Sequence, residues 1–240
     1  MTPASPAFKW FLGILWTVAA LSFAGCAALV FLWTPEEATM GIIQKIFYFH
    51  LPVAINTFLA CTLCFVGGIG YLVNRQSWWD DLAAAGAKVS VVLCTGVLLT
   101  GMLWAKGAWG VWWTWYSPRL TFSFMLWLLY VVYLLVRASV EGSQRRAVVG
   151  AVYGLIAFLD IPLVYLSARL LPDPTHPPSI ELAPSMKFTL GISFVPISLM
   201  TLGLIILQYR LHRARRAVTE QPRSAPAPVV ARPSFSGGAA

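Results

Sequence analysis

The sequence predicts an all-α integral membrane protein: a six-helix transmembrane bundle with a tryptophan-rich interfacial segment on its outer face. Of the 240 residues, 58% are hydrophobic and only 11% are charged, whereas a soluble domain of this length has about 25% charged residues. Six apolar stretches are long enough to cross about 30 Å of hydrocarbon at about 1.5 Å per residue. Lys and Arg also concentrate on one side of the resulting topology.

The predicted spans cover residues 10–33, 52–73, 84–104, 120–137, 147–168 and 188–209. Helices are expected because unpaired backbone groups cannot face lipid. The first apolar run exceeds the apolar region of about 7–15 residues in a signal peptide, so we expect it to be retained as a span. Residues 1–216 then form one membrane domain. Residues 217–240 are rich in Pro, Ala, Ser and Gly, and we expect a disordered cytoplasmic tail.

The distribution of Lys and Arg predicts how the bundle is oriented in the membrane. With both termini inside, 12 of the 17 Lys and Arg residues fall on the inner side. The other five are Lys45, Lys106, Arg119, Arg169 and Lys187. An excess of Lys and Arg marks the cytoplasmic side of membrane proteins, so we expect cytoplasmic termini. This asymmetry makes nucleic-acid binding the weaker explanation of the net charge of +8.

The stretch KGAWGVWWTWYSPRLT, residues 106–121, falls in the second outer loop. Its tryptophans are Trp109, Trp112, Trp113 and Trp115. The first three follow helical spacing together with Tyr116, which predicts a short helix with one aromatic stripe. Gly107 and Gly110 would let a ring or another backbone approach closely. The segment is either an aromatic belt at the membrane interface or a platform for a large planar ligand.

Two histidines flank this segment in the predicted topology. His50, in FYFHLPVA, is followed by Leu51 and Pro52, which predicts that it lies at or just before the start of the second helix. His176 lies in the third outer loop, LLPDPTHPPSIELAP. Either residue alone is more often solvated or packed than a ligand. Together, two neutral imidazoles on opposite faces of a porphyrin would complete the octahedral site of haem iron.

Haem also needs an apolar aromatic wall and cations near its propionates. The tryptophans would supply the wall, and Lys106 and Arg119 would supply charge, unless these cations only anchor the interface. Binding would be non-covalent, since Phe65 follows Cys64 where C-x-x-C-H attachment requires histidine.

Asp160, in FLDIPLVYLS, is a carboxylate deep in a predicted span. An ionisable residue at that depth predicts a functional role. Alternatively, its carboxylate is a polar partner for backbone groups left unpaired by the kink at Pro162, or for a nearby arginine.

These residues resemble the haem exporter protein C (CcmC) family of bacterial cytochrome c maturation. The resemblance covers most of residues 10–209 and rests on IFYFHLPVA, WGVWWTW…PRLT, LDIPLVYLS and HPPSIEL. The tryptophan segment is similar to the W-G-x-x-W-x-W-D signature of the wider WWD haem-handling group. Tyr116 stands where that signature has Asp, which removes a carboxylate from the platform.

The resemblance implies haem b, bound transiently at the periplasmic face of the inner membrane. The platform would be Trp109, Gly110, Trp112, Trp113 and Trp115, with His50 and His176 as axial ligands to the iron. The chain would not be an enzyme. It would deliver haem to a periplasmic haem chaperone, together with ATP-binding transporter subunits and a small membrane partner.

Two other functions compete with haem delivery. A membrane redox subunit that binds haem or quinone for electron transfer would place its histidines inside facing helices, whereas both candidates here fall at the outer boundary. A transporter with its substrate site at mid-membrane would need broken helices and several polar residues at depth. The sequence offers chiefly Asp160 there.

Overall fold

The structure is a computed structural model of the chain and describes residues 5–171 and 181–219. The described residues form helices and no β-strand. Six helical segments are long and apolar enough to cross a membrane. This confirms the predicted six-helix bundle and a multi-pass membrane protein.

The first helix, α1, spans Pro6–Ala28 and continues as a π-helical turn, Leu29–Trp33. A 3₁₀ turn, Ile42–Ile46, leads into the second helix. The remaining helices are α2 (Phe47–Asn74), α3 (Ser77–Trp109), α4 (Pro118–Ser139), α5 (Ser143–Phe158), α6 (Asp160–Leu170) and α7 (Pro184–Thr219). The pair α5 and α6 acts as one span, Ser143–Ser167, broken at Leu159.

Each predicted span lies within a helical segment, but α2 begins earlier than expected. Because the 3₁₀ turn runs directly into α2, His50 is the fourth residue of that helix and Pro52 the sixth. The prediction that His50 lies at or just before the helix start is therefore wrong. Pro52 cannot donate to the carbonyl of Tyr48, a local loss that the long helix tolerates.

Helices α2 and α3 pack closely through glycines. A Cβ atom at Gly67 would lie 2.7 Å from the backbone nitrogen of Ala83. One at Gly86 would lie 2.7 Å from the carbonyl oxygen of Ala60. Small residues allow such close approach of helix backbones, which stabilises membrane bundles by van der Waals contact. The backbones of α2 and α3 therefore lie in direct contact at these two glycines.

One end of the bundle is held by two ion pairs between helices; we call it the arginine end. Arg137 of α4 donates to both carboxylate oxygens of Asp80, with Nη1–Oδ1 at 2.5 Å and Nη2–Oδ2 at 3.0 Å. Arg216 of α7 donates to the Asp81 carboxylate. These pairs fix the start of α3 to the ends of α4 and α7. The opposite end, where α3 ends and α2 and α4 begin, is the tryptophan end.

Candidate functional site

A cavity of about 470 Å³ opens at the tryptophan end. Its volume lies in the range of about 300–1,000 Å³ that is usual for small-molecule and cofactor sites. The wall is mostly apolar and comes from α2, α3, α4 and α6 and from the turn before α2. Of the predicted site residues that the structure describes, four line it: His50, Trp109, Trp113 and Arg119. The fold thus brings together residues that are up to 69 positions apart, from His50 to Arg119.

A helical threonine orients His50. The Nδ1 atom of His50 lies 2.8 Å from Oγ1 of Thr100, and that hydroxyl lies 2.7 Å from the carbonyl oxygen of Gly96. The single hydroxyl proton serves the Gly96 carbonyl, so the oxygen accepts from Nδ1–H of His50. In a neutral imidazole with this tautomer the lone pair is on Nε2, the nitrogen through which such a ring ligates a metal ion.

Contacts with α3 also hold the His50 ring in place. A Cβ at Gly101 would lie 3.4 Å from Cε1 of His50, so glycine leaves room for the ring beside the helix. Trp104 meets the ring edge-on, with centroids 6.0 Å apart and an angle of 86°. Thr100, Gly101 and Trp104 therefore position His50 from one face of α3.

The tryptophan segment differs from its prediction. Helix α3 ends at Trp109, and Gly110 adopts the left-handed conformation with φ of 74°. Residues 110–117 are not helical, so the predicted helix with a single aromatic stripe is wrong. The left-handed cap at Gly110 turns the chain, because only glycine adopts this conformation without strain. Gly107 admits a close neighbour, Ile43, as expected, whereas a Cβ at Gly110 would meet nothing within 4 Å.

This turn divides the aromatic side chains between two surfaces. Trp109 and Trp113 line the cavity, whereas Trp112 is 51%, Trp115 65% and Tyr116 95% exposed. Trp113 packs edge-on against Trp115 at 5.5 Å and against Phe124 of α4 at 6.0 Å. The contact with Phe124 of α4 therefore supports Trp113 on the side facing away from the cavity. Gly110, Trp112 and Trp115 do not line the cavity, and their part in a platform stays a prediction.

The two predicted cations lie in different surroundings. Arg119 lines the cavity from the first turn of α4. Ser117 caps that turn, accepting from the backbone N–H of Leu120 at 3.4 Å. Lys106 does not line the cavity; its Nζ donates to the carbonyl oxygen of Gly110 at 2.9 Å and lies 5.9 Å from the centre of the Trp112 ring. Lys106 thus stabilises the end of α3, and its contact with a propionate stays a prediction.

Asp160 lies at the break between α5 and α6 and is 3% exposed. Within residues 5–171 and 181–219, neither of its carboxyl oxygens has a hydrogen-bond partner. The alternative that it accepts from nearby backbone or from an arginine therefore finds no support among these residues. One turn further along α6, Val164 and Tyr165 line the cavity. Asp160 itself does not.

His176 lies outside the described residues. Described residues on both sides of it in the sequence, Tyr165 and Glu181, line the cavity. The role of His176 as the second axial ligand stays a prediction.

The cavity residues that the sequence analysis did not identify include Trp104, Gln44 and Glu37. Among the described residues, the indole nitrogens of Trp104 and Trp113 and the Oε1 atom of Gln44 are buried without a hydrogen-bond partner. Trp104 was detectable, because it shares helical spacing with Val97 and Gly101, which also line the cavity. Gln44 and Glu37 come from short irregular segments that carry no periodic signal.

Glu37 places a negative charge at the cavity rim. Its Oε2 accepts from the backbone N–H of Met40 at 2.6 Å and of Thr39 at 2.8 Å. These hydrogen bonds, led by that of Met40, lower the pKa of the Glu37 carboxyl below its ordinary value. The rim therefore carries both a carboxylate and the Arg119 guanidinium.

Comparison with known proteins identifies the family. A family model described as heme exporter protein C matches residues 4–227. Heme exporter protein C of Paracoccus denitrificans is 26% identical over 211 residues, covering 84% of this chain and 86% of that protein. Its counterpart from Rhodobacter capsulatus is 28% identical over 216 residues, covering 84% and 87%. A shorter stretch of 92 residues is 38% identical to cytochrome c biogenesis protein CcsA of Prochlorococcus marinus strain MIT 9515, covering 38% and 28%. The resemblance is confirmed, and the chain belongs to the heme exporter protein C family.

Proposed function

We propose that this chain binds haem as its cargo in the cavity at the tryptophan end. It presents that haem at the periplasmic face of the bacterial inner membrane for delivery to a haem chaperone during c-type cytochrome assembly. Family membership supports this role. The structural observation that carries it is His50, oriented by Thr100 inside a cavity walled by Trp109 and Trp113. The role is binding and delivery, not catalysis.

The cavity fits haem chemically. His50 offers a neutral imidazole nitrogen to the iron, and His176 is the second axial ligand. The apolar wall covers the porphyrin faces and edges, and non-covalent binding agrees with the absence of a C-x-x-C-H motif in the sequence. Arg119 grips a propionate carboxylate. The indole N–H groups of Trp104 and Trp113, buried without acceptors among the described residues, donate to further haem oxygens.

The surface beside the cavity suits transfer to a partner. Trp112, Trp115 and Tyr116 are exposed next to Trp113, which lines the cavity. Large exposed aromatic residues are typical of protein contact surfaces. We infer that the periplasmic haem chaperone docks here, and that Tyr116 supplies an uncharged contact where the motif has Asp. ATP-binding transporter subunits and a small membrane partner complete the maturation system.

The hydrogen bond that His50 donates to Thr100 can be tested separately from the ligand itself. Thr100→Val removes the acceptor of Nδ1–H and keeps the shape of the side chain. We expect haem affinity to fall by about 10- to 100-fold, as for other metal ligands that lose such a partner. Haemin titration of the purified protein in detergent measures the change.

Thr62→Val is the matched control, because the Thr62 hydroxyl also donates to a carbonyl one turn back, that of Phe58 at 2.8 Å, and contacts no histidine. Its haem affinity should stay within about twofold of the parent. Equal affinities in the two variants would contradict the orienting role of Thr100.

The proposed orientation predicts where reporters will be active. A reporter fused after Trp113 should report a periplasmic location, and one fused at the tail beyond Arg216 a cytoplasmic location, because Lys and Arg favour the cytoplasmic side. Paired fusions of a periplasm-active and a cytoplasm-active reporter at both sites give the measurement. The reverse pattern would remove the cavity from the compartment of the chaperone.

A further inference from the structure

A second cavity, of about 520 Å³, lies at the arginine end of the bundle. It is bordered by the last turn of α2, the first turns of α3 and α5, and the end of α7. Its charged lining residues are Arg75, Asp80, Arg145 and Arg216. This cavity lies at the opposite end of the helices from His50 and shares no lining residue with the proposed haem cavity.

The charges in this cavity do not cancel. The carboxylate of Asp80 accepts hydrogen bonds from the two terminal guanidinium nitrogens of Arg137, Nη1 and Nη2, at 2.5 and 3.0 Å. Arg216 is held by Asp81 and by the Ser77 carbonyl at 2.7 Å. Of the residues that the structure describes, none forms an ion pair with Arg75 or Arg145. The cavity therefore presents two positive charges without a negative partner in the described chain.

The backbone holds Arg75 at the corner between two helices. Arg75 ends α2 in the left-handed conformation, with φ of 55°, and only Gln76 separates it from α3. It is the one non-glycine residue in the described ranges with positive φ. This conformation is unfavourable for a residue with a Cβ atom, and such strain is concentrated at functional sites.

Helix α5 adds hydrogen-bond donors to the same cavity. Its N-cap is Gly142, which provides no side-chain acceptor for the first-turn N–H groups. Ser143 and Arg145 of that turn line the cavity. Uncapped N–H groups and guanidinium groups together favour an anion with several oxygens.

We propose that this cavity binds a phosphate group. Arg75 and Arg145 neutralise its charge, and Arg216 and the first turn of α5 donate to its oxygens. The phosphate belongs either to the headgroup of an anionic phospholipid or to a free phosphate ion. Basic cavities between helix ends on the cytoplasmic side of membrane proteins are suited to anionic headgroups.

The test compares the parent with Arg75→Asn/Arg145→Gln, since Asn tolerates the left-handed conformation at position 75. The control is Arg210→Gln/Arg213→Gln, which removes two charges at the same end of α7 that do not line the cavity. Each protein, purified in detergent, is titrated with short-chain phosphatidylglycerol, with short-chain phosphatidylcholine and with inorganic phosphate. Thermal unfolding and native mass spectrometry report binding, and haemin titration checks that each variant is folded.

We expect phosphatidylglycerol or inorganic phosphate to stabilise the parent and the control alike, and to bind the cavity variant at least about tenfold more weakly. Stabilisation by inorganic phosphate identifies the free ion as sufficient. Stabilisation by phosphatidylglycerol alone identifies the headgroup. Failure of both ligands to bind the parent, or equal weakening in both variants, would overturn the proposal. Haem binding should be the same in all three proteins, so this result is independent of the haem proposal.

Discussion

The His50→Ala/His176→Ala double variant is expected to lose stable haem binding, with an affinity at least about 100-fold below that of the parent. Both axial positions of the iron lose their imidazole, and the remaining apolar and aromatic contacts cannot replace metal–nitrogen bonds. Each single variant should keep some haem but change its absorption spectrum, because one axial position becomes open. Haemin titration followed by absorption spectroscopy measures both effects.

His212→Ala is the matched control for the histidine variants. His212 is the third histidine of the chain and lies on α7, whose end forms part of the arginine end. Its replacement should leave the haem spectrum unchanged. Full haem retention by the double variant, or equal loss in the His212 variant, would contradict the axial-ligand assignment.

The Asp80→Ala variant is expected to lose about 3–5 kcal/mol of stability. Arg137 is 9% exposed and donates to both carboxylate oxygens of Asp80. Removal of the carboxylate leaves a buried guanidinium without its charge partner, and breaking a buried ion pair in this way costs about that much. For a chain of this size, the unfolding midpoint should fall by roughly 10 °C, measured by thermal unfolding in detergent.

Glu141→Ala removes the same charge from an exposed position at the arginine end and should shift the midpoint by less than about 2 °C. The double variant Asp80→Leu/Arg137→Met should recover much of the lost stability, because it leaves no buried charge. An Asp80→Ala midpoint equal to that of the Glu141 variant would show that the pair does not hold α3 to α4.

The fold was predictable because a helix that crosses lipid needs a long run of apolar residues, which is visible in the sequence. Every spanning segment must be a long apolar helix, so residues 84–104 and 188–209 were recognisable from composition alone. The ends of the helices were harder, since polar and aromatic residues continue past the apolar run. Helix α2 begins at Phe47 because a 3₁₀ turn extends it, and composition carries no signal for such a turn.

The candidate site was predictable in its residue types and less so in its geometry. Helical spacing from Trp109 to Tyr116 suggested a continuous stripe, but Gly110 ends α3 at that point. A cation in the last turn followed by glycine is itself a helix-end signal, and Lys106 with Gly110 provides it. The support of His50 by Thr100 and Trp104 comes from another helix, and a single sequence shows no contact between helices.

The most direct test of haem binding is the absorption spectrum of the purified parent protein in mild detergent, oxidised and reduced, before and after added haemin. With His50 and His176 as the two proposed axial ligands, we expect a low-spin, bis-histidine haem spectrum that saturates at one haem per chain. No haem in the protein as purified and no binding of added haemin would contradict haem binding by this chain, and would leave the tryptophan segment as a membrane belt or a docking surface.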